Sequence, residues 1–139
     1  MDYKEEIQKL VKDIKAQGIE TICFWLPAFN VGGGTYYLCK LAQYLVKNSD
    51  LKIYYMDYPN GYPSNLLSET PEVKILHYDE KNLHFPIKEK CAIITNSTRV
   101  IQIPNMRSDN KLLFCHYETI PCGWDGVLID KEAKKYMKL

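Results

Sequence analysis

The sequence predicts an α/β domain with a Rossmann-like parallel sheet flanked by helices and preceded by an N-terminal helix. Short, uninterrupted apolar runs such as residues 21–26 are typical of strands that are covered on both faces. Segments with apolar residues at helical spacing alternate with these runs, and this alternation is typical of parallel sheets. The length of 139 residues suits one such domain.

The first predicted element is a helix within residues 1–18, treated as a unit separate from the sheet domain. Its apolar residues recur at the spacing of one helical stripe and are Tyr3, Ile7, Leu10, Val11 and Ile14. Gly18 then supplies a stop signal. We expect this stripe to pack against the sheet domain.

Residues 19–139 supply the predicted sheet domain. The strands are expected at residues 21–26, 52–56, 73–77, 91–95 and 111–116, with a sixth at 127–129. A loop over residues 27–34 leads into a long helix that ends near Asn48, and Asp130 caps a last helix. After the second strand, Pro59, Gly61 and Pro63 are predicted to break the chain. The expected strand order is 3-2-1-4-5, with ligands bound beyond the carboxyl ends of the strands.

The composition excludes several classes of function. Eighteen Lys and Arg against seventeen Asp and Glu leave a net charge of +1, which argues against a nucleic-acid binder acting through bulk charge. The charged N-terminus does not have the apolar stretch of a secretory signal. Five scattered cysteines without a C-x-x-C pair indicate a reduced, cytoplasmic setting, and no metal site is expected from the histidine spacing.

A glycine-rich segment lies between the first predicted strand and the long helix. Gly32, Gly33 and Gly34 allow a ligand to approach the backbone closely, and Thr35 follows them. The helix that begins here directs unpaired N–H groups and a partial positive charge toward the same place. A phosphate is the ligand that this arrangement favours, although a plain flexible turn would also use glycines.

Two familiar phosphate-binding motifs do not fit this segment. A Walker A loop needs Gly-Lys-Ser/Thr after the glycines, which the sequence does not contain. The dinucleotide fingerprint would place Tyr37 where its third glycine belongs, although Asp57 imitates the acid that binds a ribose. An NAD(P)-dependent oxidoreductase therefore stays a third, less favoured alternative.

The same segment resembles the first βα unit of the family 4 (group 1) GT-B glycosyltransferases. The resemblance is carried by Pro27, the three glycines and Thr35, followed by Leu41, Ala42 and Leu45. Among the branches of the family it is most similar to rhamnosyltransferase-like enzymes of polysaccharide assembly. Weaker likenesses at residues 112–118 and 124–130 extend the resemblance over residues 20–139.

The resemblance implies the acceptor-side domain of a glycosyltransferase. Such an enzyme moves a sugar from a nucleotide-sugar donor to a glycan or lipid-linked acceptor without a cofactor or metal ion. Gly32, Gly33, Gly34 and Thr35 would approach the donor diphosphate. The nucleotide sugar would be held mainly by a C-terminal domain expected beyond Leu139, so this chain alone should show no turnover. Peripheral membrane association is among the expectations for the partners, and nucleic acid is not.

Further candidate residues follow the fourth and fifth predicted strands. His116 is a candidate catalytic residue that could contact an acceptor hydroxyl or a phosphate, and Glu118 could orient its imidazole. Asn96 and Arg99 are candidate acceptor-binding residues. A strand-end histidine bonded to backbone and solvated loop side chains are the alternatives. We expect the Gly32–Gly34 backbone to lie within reach of the His116 ring, at the carboxyl edge of the sheet.

Aromatic residues cluster around the second predicted strand and the loop after it. They are Tyr54, Tyr55, Tyr58 and Tyr62. Their rings could stack on sugar faces, whereas the alternative makes the first two ordinary strand residues. For the chain as a whole, the second hypothesis is a stand-alone Rossmann-like binding module without catalysis.

Overall fold

The computed structural model describes residues 3–26, 33–59, 61–78, 81, 84–95, 103–115 and 127–128. The helices are α1 (Tyr3–Ala16), α2 (Gly33–Asn48) and α3 (Tyr62–Leu66), and a short 3-10 helix spans Leu67–Glu69. The strands are β1 (Thr21–Trp25), β2 (Lys52–Asp57), β3 (Lys74–His77), β4 (Ala92–Thr95), β5 (Lys111–Cys115) and β6 (Val127–Leu128).

The strands form one sheet in the order β3-β2-β1-β4-β5-β6. Neighbouring strands from β3 to β5 pair in parallel, and β6 pairs antiparallel with β5. The Rossmann-like α/β fold, the order of the first five strands and the N-terminal helix are thereby confirmed. The helix predicted after Asp130 lies outside the described residues.

Side chains alternate along the central strands between two packed layers. Ile22 and Phe24 of β1 face the layer that contains α1 and α2, where Tyr55 of β2 stacks on Phe24 with ring centroids 5.4 Å apart. Cys23 and Trp25 face the opposite layer. In the described chain, that layer is completed by connecting segments that contribute Tyr78, Phe85, Ile87, Ile103 and Met106. The sheet is therefore covered on both faces, as its uninterrupted apolar strands predict.

The end of α1 shows why the chain turns at Gly18. The Gly18 N–H donates to the Lys15 carbonyl, and the Ile19 N–H donates to the Ile14 carbonyl. Gly18 has φ of 77°, so the pattern is a Schellman cap closed by the buried side chains of Ile14 and Ile19. The predicted stripe of α1 joins the core through Ile7 and Ile14, with Leu10 and Val11 packed beside them.

Two local features differ from the sequence-based expectation. The long helix begins at Gly33, so Gly33 and Gly34 belong to its first turn rather than to the preceding loop. A short helix and a 3-10 turn follow β2, where only chain-breaking residues were recognised. Pro63 is compatible with this helix because the first turn has no intrahelical acceptors for its N–H groups.

Candidate functional site

The candidate site lies at the carboxyl edge of the parallel strands. β2 lies on one side of β1, and β4 lies on the other. The strand order therefore reverses between β1 and β4, which is the topological switch point where such sheets bind ligands. The first turn of α2 contains Gly33 and Gly34, whose backbone N–H groups have no intrahelical acceptor. This part of the predicted phosphate site therefore lies at the edge where such sheets bind ligands.

Thr35 lies in the same first turn and is almost fully buried, with 1% of its surface exposed. It shares the inner face of α2 with Leu38 and Cys39, which are also buried. Its hydroxyl Oγ1 has no hydrogen-bond partner among the described residues. A buried hydroxyl without a partner is unfavourable by about 1–3 kcal/mol, so this position is suited to receiving a polar group.

Asp57 ends β2 at the same edge and is fully buried. Its oxygen Oδ2 accepts hydrogen bonds from the backbone N–H of Ser64 at 2.9 Å and from Ser64 Oγ at 2.6 Å. Its second oxygen, Oδ1, has no partner in the described part of the chain. A Cβ atom on Gly61 would overlap this carboxylate, so only glycine fits there without rearrangement.

The carboxylate of Asp57 also acts on the inner face of α2. Burial raises the pKa of the Cys39 thiol to about 12, and the negative charge of Asp57 adds to that rise. A hydrogen bond with Tyr55 and the charge of Lys40 act in the opposite direction. Cys39 is one helical turn after Thr35, so the Asp57 charge reaches the helix about one turn from the Thr35 hydroxyl.

The arrangement around Asp57 does not favour the dinucleotide alternative. An acid that binds a ribose has to present its oxygens to the ligand. Here Asp57 is fully buried, one of its oxygens is bonded to Ser64, and the carboxylate packs against Gly61, so neither oxygen is presented at the surface. Asp57 instead orders the segment that follows β2, a role that the sequence pattern did not reveal.

The remaining predicted site residues lie outside the described residues. They are Gly32, Asn96, Arg99, His116 and Glu118. The expected approach of His116 to the Gly33 backbone therefore stays a prediction. Of the predicted site, the structure describes the start of α2 with Gly33, Gly34 and Thr35.

The tyrosines near β2 have different environments. Tyr55 is buried, Tyr54 is half-buried, and the Tyr58 ring lies 4.5 Å from that of Tyr78. Tyr62, in the first turn of α3, keeps 37% of its surface exposed. Among the four, Tyr62 is therefore the residue best able to meet a ligand.

Sequence reasoning missed Tyr36, which also lies in the first turn of α2. It is 40% exposed, and Lys40 places its Nζ atom 5.5 Å from the centroid of the ring. Tyr36 and Tyr62 are the large hydrophobic side chains that remain exposed in the described part of the chain. Thr35, the residue before Tyr36, was predicted as a site residue because it follows the glycines. A tyrosine on a polar helix face gives no signal in the sequence that it binds a ligand.

Two structural features are absent from the described residues. Within them, no three His, Cys, Asp or Glu side chains are grouped so that they could hold a metal ion. No helix among them has the length and apolar character required to cross a membrane.

Comparison with known proteins gives no family, relative or structural neighbour. No family model matches this chain. The searches of curated proteins and of solved structures also found no match.

Proposed function

We propose that this chain is the acceptor-side domain of a glycosyltransferase. The enzyme would transfer a sugar from a nucleotide-sugar donor to a glycan or lipid-linked acceptor in the assembly of a polysaccharide. In this proposal the protein is cytoplasmic, and a second domain holds most of the nucleotide sugar. The donor is a substrate, and no cofactor takes part.

The observation that carries the proposal is the buried hydroxyl of Thr35 in the first turn of α2, which has no hydrogen-bond partner among the residues that the structure describes. It follows directly on Gly33 and Gly34, at the carboxyl edge of a parallel sheet. A phosphate oxygen can accept hydrogen bonds from a hydroxyl and from the N–H groups of a helix N-terminus at the same time. The buried hydroxyl thus supports a phosphate ligand more specifically than the glycines do alone.

The chemistry proposed for this site is stabilisation of a leaving group. When the bond between the sugar and the donor diphosphate breaks, negative charge grows on the diphosphate oxygens. The first turn of α2 presents fixed N–H dipoles and has no acidic side chain, so it is suited to that charge. His116 and Glu118 remain the proposed catalytic pair on the acceptor side, with Asn96 and Arg99 as proposed acceptor contacts.

The proposal is tested with the protein that is encoded by the full reading frame containing this domain. The purified protein is incubated with uridine, guanosine and thymidine diphosphate sugars and with free or lipid-linked oligosaccharide acceptors. Release of nucleoside diphosphate together with a one-sugar gain in acceptor mass is the expected result. Gly33→Val should reduce turnover by at least about tenfold, because a side chain there crowds the diphosphate.

Lys47→Gln serves as the matched control, because Lys47 is exposed in the last turn of the same helix. This variant should keep the turnover of the unchanged protein. Absence of sugar transfer from every donor would overturn the proposal, as would full turnover by Gly33→Val. Tight binding of NAD or NADP without sugar transfer would support the oxidoreductase alternative instead.

A further inference from the structure

We infer that Tyr36 and Tyr62 together form the subsite for an acidic sugar ring of the acceptor. The inference rests on the proposed function and adds to it the class of acceptor. Both tyrosines are exposed, and each lies in the first turn of a helix that leaves the carboxyl edge of the sheet.

The helices α2 and α3 run in the same direction along the sheet. Each helix follows the carboxyl end of a strand, and each is followed in turn by the next strand of the sheet. Both therefore run from the carboxyl edge toward the amino edge, and they contact each other. Their first turns, with Tyr36 and Tyr62, lie at the same edge.

A hydrogen bond between the two segments fixes their register more closely. Gln43 Nε2 donates to Thr70 Oγ1 at 3.1 Å, so the side of α2 that carries Gln43 faces the chain after α3. Tyr36 precedes Gln43 by seven residues, which places it on the same side of α2 and about 10 Å back along the axis. Tyr62 precedes Thr70 by eight residues, which α3 and the 3-10 helix span over at most about 13 Å.

Both tyrosines therefore precede this hydrogen bond by about two helical turns, on two segments that contact each other. The axes of packed helices lie about 8–10 Å apart. Two tyrosine side chains, one on each segment, can therefore contact the same ligand. A pyranose ring presents apolar C–H groups on its faces and hydroxyls at its rim. Aromatic rings that are apolar in the middle and polar at the hydroxyl are suited to such a ligand.

The position of Tyr62 depends on contacts between Asp57 and the start of α3. Its helix has the short sequence Tyr-Pro-Ser-Asn-Leu and would be marginal alone. Asp57 holds the first turn through the two hydrogen bonds from Ser64, and Gly61 packs directly on the carboxylate. Asp57 is thus a positioning residue for Tyr62, because it fixes the turn that presents the ring.

The charges near the Tyr36 and Tyr62 rings indicate which sugars this surface favours. Lys40 places an ammonium group 5.5 Å from the centroid of the Tyr36 ring, within the range of a cation–π contact. Neither α2 nor α3 contains an acidic residue, and the partial positive charge of the α2 N-terminus adds to that of Lys40. The nearby Asp57 carboxylate, whose charge also reaches α2, is fully buried and accepts two hydrogen bonds from Ser64, so it is shielded from the surface that carries the rings. A sugar ring that carries a carboxylate complements this surface better than a neutral ring does.

The inference is tested by saturation-transfer NMR on the chain with methyl glucuronide and methyl glucoside as probes. The expected result is transfer to the ring protons of both sugars, with stronger binding of the glucuronide. Tyr36→Ala and Tyr62→Ala should each weaken binding of the glucuronide by at least about fivefold. Lys40→Gln should reduce the glucuronide to the level of the glucoside, whereas Lys47→Gln, another exposed lysine of α2, should leave both unchanged.

Equal binding of the glucuronide by the unchanged protein and by both tyrosine variants would overturn the inference. Equal binding of the two sugars by the unchanged protein would overturn its acidic part. The proposed function is judged separately. If the enzyme transfers sugar but Tyr36→Ala and Tyr62→Ala leave the acceptor KM unchanged, the function stands and the subsite does not. If the tyrosines bind the glucuronide and no transfer occurs, the chain is a saccharide-binding module.

Discussion

Ser64 donates two hydrogen bonds to the same oxygen of Asp57, one from its backbone N–H at 2.9 Å and one from its hydroxyl at 2.6 Å. The pair connects the last residue of β2 with the first turn of α3. The N-cap residue of α3, Gly61, has no side chain that could satisfy that turn. The carboxylate of Asp57 therefore acts as a cap supplied by the preceding strand.

Removing the hydroxyl of Ser64 should destabilise the fold. In Ser64→Ala the buried carboxylate loses one of its two hydrogen-bond donors, and bonds to charged groups contribute about 1.5–3 kcal/mol. We expect a loss of this size in the free energy of unfolding, measured by urea denaturation. Ser68→Ala is the control, because Ser68 is exposed and its hydroxyl donates to an uncharged group, the Asn65 carbonyl. Losses of equal size for the two variants would contradict this interpretation of Asp57.

Gly61 should be intolerant of a side chain for a steric reason. Gly61→Ala places a methyl group where the Asp57 carboxylate lies, and such overpacking destabilises by about 1–3 kcal/mol. The loss should become much smaller in an Asp57→Ala background, which removes the colliding atoms. Gly18→Ala offers the contrast: it meets open space but requires a φ of 77°, so it should lose about 1 kcal/mol in either background. Additive effects of Gly61→Ala and Asp57→Ala would refute the steric explanation.

The fold was accessible from sequence because its signals are local and repeated. The buried strands are unbroken apolar runs, and the stripe of α1 ends at a glycine that its cap requires. The segment after β2 was not accessible in the same way. Its short helix is stabilised by a carboxylate seven residues away, and nothing in local propensity reports that contact.

The site was predictable only where it depends on backbone. Gly33 and Gly34 mark the start of a helix after a strand, and topology places that start at the ligand edge. The exposure of Tyr36 and the burial of Tyr55 depend on how α2 and β2 pack, and the residue type does not determine either one. Four neighbouring tyrosines therefore could not be ranked from the sequence.

The ion pair of Arg107 and Asp109 should appear in a pH titration. Two guanidinium nitrogens donate to the two carboxylate oxygens at 2.8 and 2.7 Å, and a third donates to the Lys88 carbonyl at 3.1 Å. The hydrogen bonds from Arg107 lower the pKa of Asp109 from 3.8 to about 2. Because the folded pKa is depressed, the stabilisation is complete above the ordinary pKa and is lost as the pH falls toward about 2.

The measurement is the carboxyl ¹³C shift of Asp109 as a function of pH. In the unchanged protein the midpoint should lie near 2, and in Arg107→Gln it should return toward the ordinary value of 3.8. The Asp50 carboxyl is an internal control, because Lys15, rather than Arg107, lowers its pKa. A midpoint for Asp109 that does not move on removal of Arg107 would show that the ion pair is not formed in solution.

Three cysteines should resist thiol reagents in the folded protein. Burial raises the pKa of the Cys39 and Cys91 thiols to about 12 and that of Cys23 well above its ordinary value. The reactive thiolate is therefore scarce at neutral pH, and the sulfur atoms are also shielded. Iodoacetamide labelling followed by peptide mass spectrometry should find these positions unmodified until urea unfolds the chain. Rapid labelling of Cys23 without denaturant would contradict the packing of β1.

Thr35 and Thr70 offer the sharpest test of the phosphate site, because both are buried threonines with opposite roles. Thr35→Val removes a hydroxyl that has no partner in the described part of the chain, so the free energy of unfolding should stay unchanged or rise by up to about 1 kcal/mol. Thr70→Val removes the hydroxyl that accepts a hydrogen bond from Gln43, so this variant should lower the free energy of unfolding by about 1 kcal/mol.

Ligand binding should show the reverse order for these two variants. If the Thr35 hydroxyl donates to the donor diphosphate, Thr35→Val should raise the donor KM of the full enzyme by about tenfold, which corresponds to one lost charge-assisted hydrogen bond. Thr70→Val should leave that KM unchanged, since Thr70 bonds to Gln43, about two turns beyond the first turn of α2. Thr35→Ser keeps the hydroxyl and should restore binding. A Thr35→Val variant that is destabilised and binds the donor normally would show that the hydroxyl serves the fold and not the ligand.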